Sequence, residues 1–229
     1  MMDPAEFDRF ADEYELQHAE SIGLSGETRE FFAQYKVSDV AQECMARQPQ
    51  RILDFGAGIG SSIPHFKRLF PNAALTCLDV SERSLKIARN RHGDVAEYRS
   101  FDGNVVPYPS GHFDLAFASC VFHHIPAHQH VGLLHELRRV VADDARVFVF
   151  EHNPLNPLTR YAVSTCPFDQ NAVLLTARTL RARALEAGFT HARIAYRLFF
   201  PGFLRALRPF ERVLTRIPIG AQYYICAIP

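Results

Sequence analysis

Apolar residues along this chain fall into short, nearly unbroken runs, separated by longer stretches in which they recur every three or four positions. The runs at Arg51–Phe55, Ala74–Asp79, Ala96–Arg99, Phe113–Ser119, Ala145–Glu151, Ala192–Phe200 and Gln222–Ile228 predict strands. The intervening stretches predict helices over 4–21 and 26–47, from the glycine turn after Phe55 to Phe70, from Ser81 to about Arg91, over 127–141 and over 179–187. Ser25-Gly-Glu-Thr28 and Ser81 supply capping chemistry, Pro71-Asn72 breaks one helix, and Gly188 ends another. Strands that are apolar nearly throughout, alternating with helices, mean an α/β fold: a doubly wound, mostly parallel sheet with helices on both faces.

Two segments depart from this rhythm. Residues 152–176 are rich in proline and turn residues and predict a long irregular loop. Such loops are functional or disordered, and the aromatics and Asn-Pro steps here favour an ordered one. Pro201–Gly220 is an arginine-rich insertion in which Leu204, Leu207, Phe210 and Leu214 recur at helical spacing opposite Arg205, Arg208, Arg212 and Arg216. A core- or dimer-facing stripe is the plainer reading and peripheral membrane contact the alternative. At 229 residues the chain reads as one domain over 1–229. Within it lie an N-terminal helical cap (1–48), a ligand-binding core (49–151), a substrate loop (152–178) and the C-terminal half of the sheet (179–229, with the insertion at 201–220).

The charge balance of 25 basic and 25 acidic residues argues against a nucleic-acid binder. The distribution is uneven. Residues 1–31 hold nine acids and residues 178–216 nine arginines, which predicts pairing between the two ends. The five cysteines are scattered and lack CxxC spacing, as expected in a reducing cytosol. No signal peptide is visible and no apolar run approaches membrane-spanning length, so the chain reads as cytoplasmic, a monomer or homodimer.

The chemistry concentrates at Arg51-Ile-Leu-Asp-Phe-Gly-Ala-Gly-Ile-Gly-Ser-Ser62. Gly56, Gly58 and Gly60 stand between a strand and a helix N-terminus, where a ligand can lie against bare backbone. A dinucleotide loop spaces its third glycine one position later. Asp54 would also repel a pyrophosphate and welcome a cation. Asp79, at the tip of the second strand, can accept both hydroxyls of a ribose.

Ile52-Leu-Asp-Phe-Gly-Ala-Gly-Ile-Gly60, Leu78-Asp-Val80 and Phe113-Asp-Leu-Ala-Phe-Ala-Ser-Cys-Val-Phe-His-His-Ile-Pro126 together resemble the class I S-adenosylmethionine-dependent methyltransferases of the small-molecule, type 11-like kind. The resemblance runs over about residues 50–151. It implies a Rossmann-like seven-stranded sheet with an antiparallel last strand. It also implies that Asp54 and the backbone of Gly56, Ala57 and Gly58, with Gly60 closing the loop, surround the methionine part of S-adenosylmethionine. Asp79 would hold the ribose, Val80 the adenine, Asp102 with Gly103 the adenine amino group, and Ser119 and Cys120 the methionyl side. Tyr14 and Tyr35 would cover the cofactor. Read as residues alone, Asp102 equally suits an Asx turn, and the tyrosines equally suit packing on a helix face.

Methyl transfer from a sulfonium is an in-line displacement that releases a neutral thioether, so alignment dominates and a base serves only a protonated acceptor. His152 and His124, at the C-terminal ends of strands, are the candidate catalytic residues. Arg160, Tyr161 and Asp169 from the long loop, with His18 and Lys36 from the N-terminal helices, are the candidate substrate residues. His123, His124, His128, His130 and His135 crowd together, yet no Cys, Asp or HExxH-type partner completes a recognised set, so no metal is expected. The reading is transfer of a methyl group to a small-molecule acceptor, at O first, with N or C open. The alternatives are binding of S-adenosylmethionine or its product without transfer, as a regulatory subunit or an assisted cyclase, and more remotely a dehydrogenase.

Overall fold

The computed structural model describes residues 26–169 and 171–229. The predicted helix over 4–21, with Tyr14 and His18, lies outside the described residues.

Helix α1 (Arg29–Glu43) starts where Thr28 accepts the Phe31 N–H at 3.2 Å. Then β1 (Arg51–Phe55), α2 (Ile63–Leu69), β2 (Ala74–Asp79), α3 (Glu82–His92), β3 (Glu97–Ser100) and β4 (Phe113–Ser119) alternate. They are followed by α4 (His130–Val140), β5 (Val141–His152), α5 (Pro157–Thr165), α6 (Ala177–Glu186), β6 (His191–Arg197), α7 (Glu211–Leu214) and β7 (Gln222–Ile228). Ser81 caps α3, Asn156 caps α5 and Thr176 caps α6, each by accepting an N–H three residues on.

The strands form one seven-stranded sheet in the order β3-β2-β1-β4-β5-β7-β6, parallel except that β7 runs antiparallel to both β5 and β6. Two cores form because successive side chains on a strand point to opposite faces. Leu53, Ala116, Ala118, Val147 and Val149 meet Leu133 and Leu137 of α4 and Leu180 of α6 on one face. Ile52, Leu115, Phe117, Phe148 and Phe150 meet Val37 and Val40 of α1 and Phe66 of α2 on the other. Strand order reverses between β1 and β4, which places the ligand crevice at their C-terminal ends.

Several boundaries differ from expectation for local reasons. The segment over 152–176 is not irregular throughout. It contains α5 and a 3-10 turn at Pro167–Asp169. Pro157 read as a breaker, but it stands in the first helical turn, where its missing N–H leaves no bond unmade. Helix α4 starts at His130, later than predicted, because Ala127–Gln129 forms a 3-10 turn first. Strand β6 stops at Arg197 rather than Phe200. Leu198 takes a positive φ of 61°, and the N–H groups of Leu198, Phe199 and Phe200 turn to the Glu211 carboxylate. The insertion is a 3-10 helix over Gly202–Phe210 followed by α7, leaving Phe203, Phe210 and Val213 exposed. Its arginines meet the N-terminal acids in part: Arg208 Nη2 lies 2.5 Å from Glu27 Oε1 and its guanidinium 4.4 Å from the Phe31 ring centre. No helix among the described residues is long and apolar enough to cross a membrane.

Candidate active site

The chain leaves β1 through a turn held by the next strand: the N–H groups of Gly56 and Ala57 both donate to Leu78 O, at 2.8 and 3.1 Å. Gly56, Gly58 and Gly60 all take positive φ. A Cβ on Gly56 would lie 2.5 Å from Val121 Cγ2, and one on Gly60 would lie 2.7 Å from Ile63 Cδ1 and 3.0 Å from Ala88 Cβ. A Cβ on Gly58 meets nothing within 4 Å, so this backbone faces open space. The Asp79 carboxylate is fixed by the Gly58 N–H (2.8 Å) and the Ser81 N–H (2.9 Å).

A cavity opens above this turn, lined by residues 54–59, Ser61, Ser62, Asp79, Val80, Ser84, Phe101, Ser119, Cys120, Val121 and His124. Asp54 forms its floor. It is 1% exposed, and its Oδ2 has no hydrogen-bond partner among the described residues. Burial, helped by Asp79 and opposed by Lys36, pushes its carboxyl up to about 8. A buried carboxyl oxygen without a donor, beside bare glycine backbone and a second fixed carboxylate, fits a ligand with a cationic head and a hydroxylated ring. S-adenosylmethionine has both.

A second cavity continues from the first, sharing Ser61, Ser62, Ser119, Cys120 and His124 with it. Phe31, Phe32 and Lys36 of α1 form one wall, Leu158, Thr159, Ala162 and Val163 of α5 another, and Leu198–Pro201 with Arg208 a third. Its polar floor holds His123, His124, His152 and Asp169.

The floor is built around Glu151, the fully buried end of β5. Its Oε1 accepts the Val121 and Phe122 N–H groups at 3.1 and 2.7 Å, and its Oε2 lies 2.5 Å from His123 Nδ1. Burial alone would lower the His123 pKa, but Glu151 and Asp169 raise it well above the ordinary value. Burial and the charge of His123 push the neighbouring His124 down to about 3. Burial raises the Asp169 carboxyl, and the histidines outweigh it to leave a net lowering. Cys120, at a strained φ of 57°, receives Lys36 Nζ at 3.2 Å. Burial raises its thiol, but Lys36 and His152 prevail and bring it down to about 6.

Of the residues singled out from the sequence, the structure brings Asp54, Gly56, Ala57, Gly58, Asp79, Val80, Ser119 and Cys120 to the first cavity. It brings Lys36, His124, His152 and Asp169 to the second. Others stand elsewhere. Gly60 packs against Ile63 and Ala88. Asp102 is exposed and accepts the Asn104 and Val105 N–H groups at 2.9 and 3.1 Å, so it takes the Asx-turn role. Neither it nor Gly103 lines the cavity, and Phe101 does instead. Tyr35 is buried and lines neither cavity, its hydroxyl on Gln222. Arg160 and Tyr161 fall on the outer face of α5, opposite Thr159 and Val163, and both are exposed. The third wall, from the end of β6 and the insertion, had no motif to announce it.

Residues 52–144 match the family model described as a methyltransferase domain. The chain is 29% identical over 178 residues to a malonyl-[acyl-carrier protein] O-methyltransferase of Geobacter sulfurreducens, covering 70% of this chain and 66% of that one. It is 28% identical over 151 residues to a demethylmenaquinone methyltransferase of Thermotoga maritima, covering 66% and 61%. The chain thus spans just under two thirds of the length of these relatives. A solved S-adenosylmethionine-dependent methyltransferase from Thermotoga maritima superposes with a TM-score of 0.68 at 18% identity over 98% of each chain. Sheet order, the glycine turn with its two aspartates, and these similarities converge: residues 52–144 match a methyltransferase domain, and the chain has the fold of the class I S-adenosylmethionine-dependent methyltransferases.

Proposed function

We propose that this chain transfers a methyl group from S-adenosylmethionine to an oxygen of a small molecule held in the second cavity. The observation that carries this reading is the junction of the two cavities at Ser119, Cys120 and His124, which sets a donor pocket and an acceptor pocket face to face. When bound, S-adenosylmethionine supplies an electrophilic methyl on a cationic sulfur. Asp54 and the backbone of Gly56, Ala57 and Gly58 would hold its methionine part, Asp79 the ribose, and Val80 with Phe101 the adenine. The acceptor oxygen would take the methyl, with the electron pair of the broken C–S bond left on the sulfur.

An acceptor hydroxyl must also lose its proton. Cys120 and His152 both line the acceptor cavity, Cys120 at its junction with the first, and this pair takes the proton. Apolar walls around Lys36 and Arg29 favour an acceptor with an apolar body and an anionic or hydroxyl end. Two relatives, named as a malonyl-[acyl-carrier protein] O-methyltransferase and a trans-aconitate 2-methyltransferase, lend support to carboxylate-bearing acceptors.

The test is turnover of methyl-labelled S-adenosylmethionine with a panel of small carboxylic acids, phenols, alcohols and amines. Labelled product from an oxygen acceptor is expected. Tight cofactor binding without product from any acceptor would move the chain to the binding-without-transfer reading.

A further inference from the structure

His123 and His124 are consecutive, yet both rings face the same side. The 3-10 turn at Phe122–His124 brings their centres to 4.2 Å. Asp169 comes from a different segment, beyond α5, and that segment is tied down by the Val173 N–H donating to His123 O at 2.8 Å. Asp169 Oδ1 lies 3.6 Å from His123 Nε2 and 3.5 Å from His124 Nε2. One donor atom from each residue falls within 4.8 Å of the others. We propose that His123 Nε2, His124 Nε2 and a carboxylate oxygen of Asp169 bind one divalent transition-metal ion at the floor of the acceptor cavity.

Three features support this beyond proximity. Tetrahedral ligands at about 2.0–2.1 Å from an ion stand roughly 3.3 Å apart, close to the 3.6 and 3.5 Å between the Asp169 carboxylate and the two imidazoles. Glu151 then does for His123 what outer carboxylates do in metal centres. Held at 2.5 Å from Nδ1 and itself fixed by two backbone N–H groups, it keeps the proton on Nδ1 and aims the Nε2 lone pair inward. Finally, three protein ligands on one side leave the opposite side facing the cavity that His123, His124 and Asp169 line. Two imidazoles and one carboxylate suit zinc, cobalt, manganese or iron, whereas magnesium and calcium prefer oxygen.

The binding stands on this donor geometry alone. The use of the ion, which would polarise an acceptor oxygen and ease loss of its proton, rests on the methyl-transfer reading. The rival arrangement is an imidazolium of His123 held between Glu151 and Asp169 with no ion.

The experiment uses the full chain, stripped with a chelator and titrated calorimetrically with Zn²⁺, Co²⁺ and Mg²⁺. Binding of S-adenosylhomocysteine is measured in parallel as a check on folding. One equivalent of Zn²⁺ is expected, and visible absorption bands with Co²⁺, while Mg²⁺ binds far more weakly. His124→Gln and Asp169→Asn should abolish this uptake. Glu151→Gln should weaken it about 10- to 100-fold. His135→Ala, on the exposed face of α4, should leave it unchanged. X-ray absorption of the Zn²⁺-loaded wild type needs no variant and should show two imidazole nitrogens and an oxygen at about 2.0–2.1 Å. Failure of the wild type to take up one equivalent of Zn²⁺ or Co²⁺, or undiminished uptake by His124→Gln and Asp169→Asn, overturns the proposal. Absence of S-adenosylhomocysteine binding in a wild type that still takes up Zn²⁺ would overturn the methyl-transfer reading and leave the metal site standing.

Discussion

Lys36 Nζ donates to both Ser119 Oγ, at 2.7 Å, and Cys120 Sγ, at 3.2 Å, joining α1 to the tip of β4 where the two cavities meet. The Cys120 thiol, raised by burial but lowered further by Lys36 and His152, titrates near 6. A group lowered in this way is mostly thiolate above that pH. The rate of alkylation of Cys120 by iodoacetamide, followed by mass spectrometry, should therefore rise with pH through a midpoint near 6. Lys36→Met should move the midpoint upward by at least about one unit, toward the ordinary thiol range. S-adenosylhomocysteine should slow the reaction by covering the junction. A midpoint unchanged in Lys36→Met would remove the lysine from this role.

The glycines of the β1 turn separate by what surrounds them. Gly58→Ala places a methyl in open space at a φ of 53°, so the fold should survive at a cost of about 1–2 kcal/mol, while cofactor affinity falls sharply because the methyl enters the cavity. Gly56→Ala drives a methyl to 2.5 Å from Val121 Cγ2 at a φ of 71° and should destabilise the chain more than Gly58→Ala does. Thermal unfolding with and without S-adenosylhomocysteine separates the two. Equal affinity in Gly58→Ala and wild type would show that the cofactor does not lie against this backbone.

What was legible in the sequence was local. Strands β1, β2, β4 and β7 and the turn from Asp54 to Gly60 could be read because an apolar run, a glycine and a cap act within a few residues of one another. The pairing of β7 against β5 could not be read that way and came from likeness to a family. The floor of the acceptor cavity was half legible. His124 and His152 stood out as histidines at strand ends, but the approach of Asp169 to His123 depends on how α5 folds back. That helix was hidden by Pro157, which reads as a breaker and serves as a first-turn residue. Asp102 shows the opposite error. Its place after β3 suggested a ligand, and its carboxylate is engaged by its own turn. The third cavity wall hangs on Glu211, a single buried acid among arginines, and nothing in its sequence neighbourhood marks it as buried.

Asp54 gives a pH dependence of stability. Its folded pKa, raised to about 8 by burial and by Asp79, stands above the unfolded value near 3.8. Below the lower value both states hold the proton and folding is unaffected. Between the two values the unfolded state ionises first, so stability falls as pH rises, and the loss is complete above about 8. Asp54→Asn removes this penalty. In the cofactor-free protein it should unfold at a higher temperature than wild type at pH 8, by at least roughly 1.4 kcal/mol or about 3–6 °C, with the gap closing toward pH 4. The same substitution should weaken S-adenosylmethionine binding, because the buried carboxylate faces its cationic head. A gap that does not depend on pH would mean that Asp54 is already ionised in the free protein.

Glu211 lets the wall of the acceptor cavity be tested apart from the donor site. Its carboxylate, 4% exposed, accepts the N–H groups of Leu198, Phe199 and Phe200 at 3.2, 3.0 and 3.1 Å. These three groups have left the β6 ladder, so no strand partner replaces the acid. Glu211→Ala leaves them without an acceptor and should cost about 2 kcal/mol, or roughly 4–8 °C of unfolding temperature. Glu211→Gln keeps one carbonyl oxygen and should cost less. Residues 198–201 line the second cavity and not the first, so S-adenosylhomocysteine affinity should stay near wild type in both variants while the KM for the acceptor rises. If cofactor and acceptor binding fell together, the two cavities would be coupled through β6 and could not be treated as separate sites.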